Sequence, residues 1–130
     1  MGTLRVLVVD DEEELVSALV ERLTLRGFEA KGVTTGADAL AYLDETSRDV
    51  VLLDVKMPGI GGLEVIERIK EKQPNLEVVL LTGHSSAQDA ERGMTLGAFD
   101  YLMKPVKIDD LLRALLSAGA RTGKGTAGET

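Results

Sequence analysis

Short apolar runs alternate with amphipathic stretches along nearly the whole chain. Residues 4–9 are apolar and rich in β-branched side chains, which predicts a buried strand. Residues 12–26 set Leu15, Leu19 and Leu23 beside Val16 and Val20 at helical spacing, with acids in the first turn and Gly27 as the stop. Residues 28–33 predict a second strand, and 36–45 a second helix on Ala37, Leu40, Ala41 and Leu43. Residues 49–53 are apolar on both faces, as a central strand requires. A third helix follows over 63–72 on Leu63, Ile66 and Ile69, broken by Pro74 and Asn75. Residues 77–81 predict the fourth strand, 86–96 a weak helix with Gly93 inside it, 98–103 the fifth strand, and 108–117 a last helix on Leu111, Leu112, Leu115 and Leu116. Five such units with short connections predict a doubly wound α/β domain: a parallel sheet with helices on both faces.

Four of the strand-like runs end in a reactive side chain. Asp10 and Asp11 close the first, Asp54 the third, Thr82 the fourth, and Lys104, before Pro105, the fifth. In a parallel sheet these ends share one edge, where ligands of such folds bind. Three carboxylates in one small volume resist joint ionisation, and a divalent cation relieves the repulsion. Hard oxygen ligands suit Mg²⁺ or Mn²⁺. Asp54 has the chemistry of a nucleophile that forms an acyl phosphate. Thr82 offers a hydroxyl and Lys104 a point charge suited to phosphate. The plainer alternative for Asp11 is a helix cap. Phe99 and Tyr101 are read as alternating along the fifth strand to opposite faces, one in the core and the other near the sheet edge. His84, the single histidine, is expected in a solvent-facing loop.

Composition narrows the choice. In 130 residues, one domain's length, aromatics make up only 3%, so the core must be aliphatic. A net charge of -7 argues against a nucleic-acid grip by this surface and fits divalent cations or a basic partner. The absence of cysteine excludes disulfides and thiolate metal sites. No apolar stretch approaches the ~18 residues of a membrane helix, and the N-terminus shows no leader pattern, so a cytoplasmic protein without membrane contact is expected. The polar, Gly-, Ala- and Thr-rich stretch 118–130 reads as a flexible tail or the start of a linker.

Taken together, Val8-Val9-Asp10-Asp11-Glu12, Leu53-Asp54-Val55-Lys56-Met57-Pro58-Gly59, Leu81-Thr82-Gly83 and Gly97-Ala98-Phe99-Asp100-Tyr101-Leu102-Met103-Lys104-Pro105 resemble the receiver domain of two-component response regulators. The resemblance covers about residues 4–116 and implies a receiver over residues 1–117 with a flavodoxin-like sheet, strand order 2-1-3-4-5. It also implies a signalling domain that promotes only its own phosphorylation and dephosphorylation. Asp54 would accept phosphate from the phosphohistidine of a sensor histidine kinase. Asp11, Asp54 and the carbonyl of Lys56 would hold Mg²⁺, with Asp10 acting mainly through water. Thr82 and Lys104, helped by the amides of Val55 and Gly83, would hold the phosphoryl oxygens. Thr82 and Tyr101 would switch, reshaping the surface of the fourth helix, fifth strand and fifth helix for an output domain, a protein partner or a second copy. The family pattern implies a cis bond before Pro105, although only ~5–6% of X-Pro bonds are cis. Gly61 stands where many relatives carry a polar cap, which implies a looser start to the third helix. Lys56 and His84 occupy positions that tune phosphate lifetime in the family.

The weak apolar anchoring of residues 86–96, together with Gly93, suggests a low-stability switching element. A phosphatase of the haloacid dehalogenase type needs a second Asp two residues after its nucleophile, and here Lys56 stands there. A nucleotide-binding domain needs a Gly-rich cradle after the first strand, where this chain has acids. A phosphate-independent interaction module is opposed by the intact Asp11, Asp54, Thr82 and Lys104.

Overall fold

In the computed structural model, residues 3–83 and 87–121 are described. The elements are β1 (Arg5–Val9), α1 (Glu13–Leu25), β2 (Glu29–Val33), α2 (Gly36–Glu45), β3 (Val50–Asp54), α3 (Gly62–Lys72), β4 (Glu77–Thr82), α4 (Ala87–Thr95), β5 (Asp100–Met103) and α5 (Ile108–Arg121). The five strands are parallel in the order β2-β1-β3-β4-β5. Strand order reverses between β1 and β3, so the first and third strands end side by side. None of these helices is long and apolar enough to cross a membrane.

Side chains alternate across a strand, and here both faces are apolar, which is why β3 and β4 are buried along their whole length. Val6, Val8, Val50, Leu52, Val79 and Leu81 face α1 and α5, meeting Val16, Leu19, Leu23, Leu111 and Leu115. Leu7, Val9, Val51, Leu53, Val78 and Leu80 face the other side, against Ala39, Leu43, Val65, Ile66 and Ile69 of α2 and α3. Burying each such aliphatic side chain contributes roughly 1.5–3 kcal/mol before conformational entropy is subtracted. The sheet is therefore a rigid floor, and its carboxyl edge inherits that rigidity.

Helix ends follow local chemistry. Gly27 stops α1 at φ +92°, a backbone conformation that L side chains rarely adopt. Thr35 caps α2 through its hydroxyl, which accepts from the Asp38 amide at 3.0 Å. Gly61 starts α3 without a side-chain cap. Asp11 does not cap α1: Glu12 is the cap residue and makes no side-chain capping bond. Instead the Glu12 amide donates to Asp10 Oδ1 at 2.9 Å.

Three details depart from the sequence reading. α5 continues past Ser117 to Arg121, with Ala118 fully buried. Arg121 lies 3.6 Å from Glu77 and its guanidinium sits over the Phe99 ring at 5.5 Å. Small residues read as linker here let the helix lie close on the sheet. Phe99 precedes β5 and packs half-buried on the core, while Tyr101 in β5 is 37% exposed. Residues two apart on a strand share a face, so it is the late start of β5 that separates the two rings.

The third concerns Gly93, which is buried against Leu80 of β4, a fully buried residue. A Cβ at Gly93 would overlap Leu80 Cδ1. The glycine therefore permits close helix–sheet approach; its primary effect is packing, not loosening. Gly93→Ala should lower unfolding free energy by about 1 kcal/mol net, because overpacking outweighs the propensity gain. Urea denaturation checks this; a gain of similar size would mean that α4 is merely a weak helix.

Candidate functional site

The carboxyl edge collects side chains from four strand ends. Asp54 is the last residue of β3, and Asp10 and Asp11 follow β1, its neighbour. Thr82 ends β4 on the other side. Lys104 follows β5, and its amide donates to the Thr82 carbonyl at 2.8 Å, which fixes where its side chain starts. The Lys104–Pro105 bond is cis.

The carboxylate oxygens of Asp10, Asp11 and Asp54 all lie within 4.8 Å of one another, with Asp10 and Asp54 buried and Asp11 exposed. Among the described residues, one cation reaches two of them, Asp10 and Asp54. Lys104 Nζ stands 2.8 Å from Asp10 Oδ2, 3.0 Å from Glu12 Oε1 and 3.6 Å from Asp54 Oδ1. Burial works against the charged lysine, but its bonds to Asp10 and Glu12 and the nearby Asp54 charge more than compensate, so its pKa is raised. Asp54 is pushed up to about 6, first by burial and then by the Asp10 charge, with a smaller push from Asp11; Lys104 and a hydrogen bond from the Lys56 amide oppose the rise. The cluster therefore has more negative charge than one lysine can balance, and hard oxygen donors with one member facing solvent suit Mg²⁺ or Mn²⁺.

Thr82 is fully buried, and its hydroxyl donates to the Gly83 carbonyl at 3.2 Å. Among the expected amides, Val55 does not fit a phosphate role, because its N–H donates to Leu81 O at 3.0 Å and is consumed by the β3–β4 ladder. The amide that faces the Asp54 carboxylate is that of Lys56. Strand length alone decides this: the ladder runs one residue past Asp54, which no side-chain pattern signals. The Lys56 ammonium points elsewhere, 3.8 Å from Asp89 of α4, with its side chain 65% exposed. Gly62 closes the site from below, since a Cβ there would press on the Asp54 carbonyl. His84 lies outside the described residues.

These shifts have a consequence for stability. The folded pKa of Asp54 lies above its ordinary value of 3.8. Its ionisation thus disfavours the fold, and the penalty, absent below about pH 4, is complete above about pH 6. In metal-free protein, Asp54→Asn should raise stability at pH 8 by on the order of 1–2 kcal/mol, less than the full shift because Lys104 loses a partner. The gain should vanish near pH 4. Thermal melts across this range in a chelator check it; a pH-independent difference would contradict it.

Comparison with known proteins agrees with this arrangement. Residues 6–116 match the family described as response regulator receiver domain. The sensory transduction protein RegX3 of Mycobacterium tuberculosis is 39% identical over 117 residues, 88% of this chain and 51% of that protein. The transcriptional regulatory protein TctD of Salmonella typhimurium is 38% identical over 120 residues, 90% of this chain and 54% of that one. The chain thus spans about half the length of these curated relatives. Among solved structures, a response regulator receiver domain protein from Clostridium thermocellum superposes with a TM-score of 0.88 at 34% identity, covering 92% of this chain and 97% of that one. A CheY-like receiver domain protein from Methanospirillum hungatei gives 0.89 at 27% identity, covering 95% and 98%. A carboxylate cluster on a 2-1-3-4-5 sheet, matched along nearly its whole length, means that this chain belongs to the response regulator receiver domain family.

Proposed function

We propose that Asp54 is the phosphoacceptor of a two-component signalling switch. The observation that carries this reading is a buried strand-end aspartate beside two further carboxylates, with Lys104 3.6 Å away. An Asp54 oxygen attacks the phosphorus of a phosphohistidine on a sensor histidine kinase. The P–N bond breaks, the imidazole leaves with its electron pair, and an acyl phosphate remains on Asp54. When bound, Mg²⁺ or Mn²⁺ supplies positive charge to the phosphoryl oxygens. Asp11, Asp54 and the Lys56 carbonyl would hold it, with Asp10 contributing through water. Lys104 and the Thr82 hydroxyl hold the phosphoryl oxygens, together with the amides of Gly83 and, in place of Val55, Lys56. The domain promotes this reaction on itself alone, and likewise the later hydrolysis, in which water attacks the phosphorus, the P–O bond to Asp54 breaks, and inorganic phosphate leaves the free carboxylate.

Switching follows from the hydroxyl. In the unphosphorylated form Thr82 spends its proton on the Gly83 carbonyl. A phosphoryl oxygen is a stronger, charged acceptor, so Thr82 turns toward it. Tyr101 then moves from its half-exposed position into the space behind, and the α4–β5–α5 surface changes shape. That surface serves an output domain, a protein partner or a second copy. The name of the Salmonella relative, a transcriptional regulatory protein, favours transcriptional output. Lys56 and His84 tune the lifetime of the phosphate. A receiver fold that signals without phosphate is the rival reading, and it leaves the cost of the carboxylate cluster unexplained.

Incubation with acetyl phosphate and Mg²⁺, followed by intact mass, tests this. One phosphoryl adduct is expected on the wild type, and none on Asp54→Ala or without the metal. Adduct decay should change rate in Lys56→Ala and His84→Ala. If neither acetyl phosphate nor a kinase panel labels the wild type, the phosphate-independent module becomes the better reading.

A further inference from the structure

Glu12 is the residue at this edge whose side chain local structure does not explain. It sits at the cap position of α1 yet makes no capping bond. Its carboxylate instead reaches across the edge to Lys104, 92 residues away in sequence, at 3.0 Å. An ammonium has three protons to give. Asp10 and Glu12 hold Lys104 at 2.8 and 3.0 Å, so Nζ is drawn to their side and stands 3.6 Å from Asp54. A phosphoryl group on Asp54 therefore meets a lysine already drawn toward Asp10 and Glu12, and must compete with them for its charge.

The two contacts differ in the cost of letting go. Asp10 is fully buried, and parting it from Lys104 would strand a charge away from water, which is strongly unfavourable. The Glu12 side chain is 63% exposed and can return to solvent. We infer that Glu12 is a positioning residue for phosphoryl transfer: its ion pair parks Lys104 in the unphosphorylated protein, and release of Glu12 into water frees the lysine for the phosphoryl oxygens. This rests on Asp54 being the phosphoacceptor.

Two variants separate the ion pair from its charge. Glu12→Gln removes the charge. Glu12→Asp keeps the charge but withdraws the carboxylate by one methylene. If the pair parks the lysine, both variants should take phosphate from acetyl phosphate about two- to five-fold faster at saturating Mg²⁺, the range expected for breaking a half-exposed ion pair. Both should also change the Lys104 ammonium signal in ¹⁵N-lysine spectra of metal-free protein, with the thermal midpoint unchanged. A faster Glu12→Gln beside a wild-type-like Glu12→Asp would show that only local charge matters and would overturn the inference. Variants that match the wild type in both rate and spectrum would also overturn it while leaving the phosphoacceptor reading intact. Absence of any adduct on the wild type would defeat that reading and this one with it.

Discussion

The structure turns on one cation facing several buried or half-buried acids. Lys104, just past β5, is the point where the ends of β1, β3 and β4 meet chemically, through Asp10, Asp54 and the backbone bond to Thr82. Carboxylates this close repel, and the fold tolerates them because a single ammonium sits among them and because the sheet beneath does not yield. The imbalance that remains is what gives the site its chemistry. An edge with surplus negative charge attracts a divalent cation, and an aspartate whose ionisation is disfavoured by burial gains from any partner that neutralises it.

The rigidity of the floor matters as much as the charge. β3 and β4 are buried throughout, so the ends that present Asp54 and Thr82 are held by aliphatic packing on both faces. Gly62 and Gly93 let α3 and α4 press against that floor where any side chain would intrude. Motion is then left to side chains at the edge: a buried hydroxyl with one weak neutral acceptor, and a tyrosine half out in solvent. In the switch proposed above, a change of charge at Asp54 would relax through these side chains toward the α4–β5–α5 surface.

Much of this was legible in the sequence because apolar period and strand-end chemistry are strong, local signals. The five units and the meeting of Asp10, Asp11, Asp54, Thr82 and Lys104 at one edge follow from runs such as Val50 to Leu53 and the polar residue after each. What escaped depends on backbone register and shape. Nothing in the residue types says that the β3–β4 ladder consumes the Val55 amide and leaves the Lys56 amide toward Asp54. Ala118 and Gly119 resemble a linker by composition, yet both are buried in the last turn of α5. Gly93 reads as a weak point within its helix until the position of Leu80 is known. Glu12 looks like one more acid in a first turn, and only the fold brings it to Lys104.

With one lysine facing several carboxylates, the acidic edge is short of positive charge, which a hard divalent cation would supply. Thermal unfolding of the wild type with and without millimolar Mg²⁺, beside Asp54→Ala, tests it most directly. The unfolding temperature of the wild type should rise with Mg²⁺ concentration, as ligand linkage requires, and that of the variant much less. An equal response of both proteins, or no response in the wild type, would contradict it.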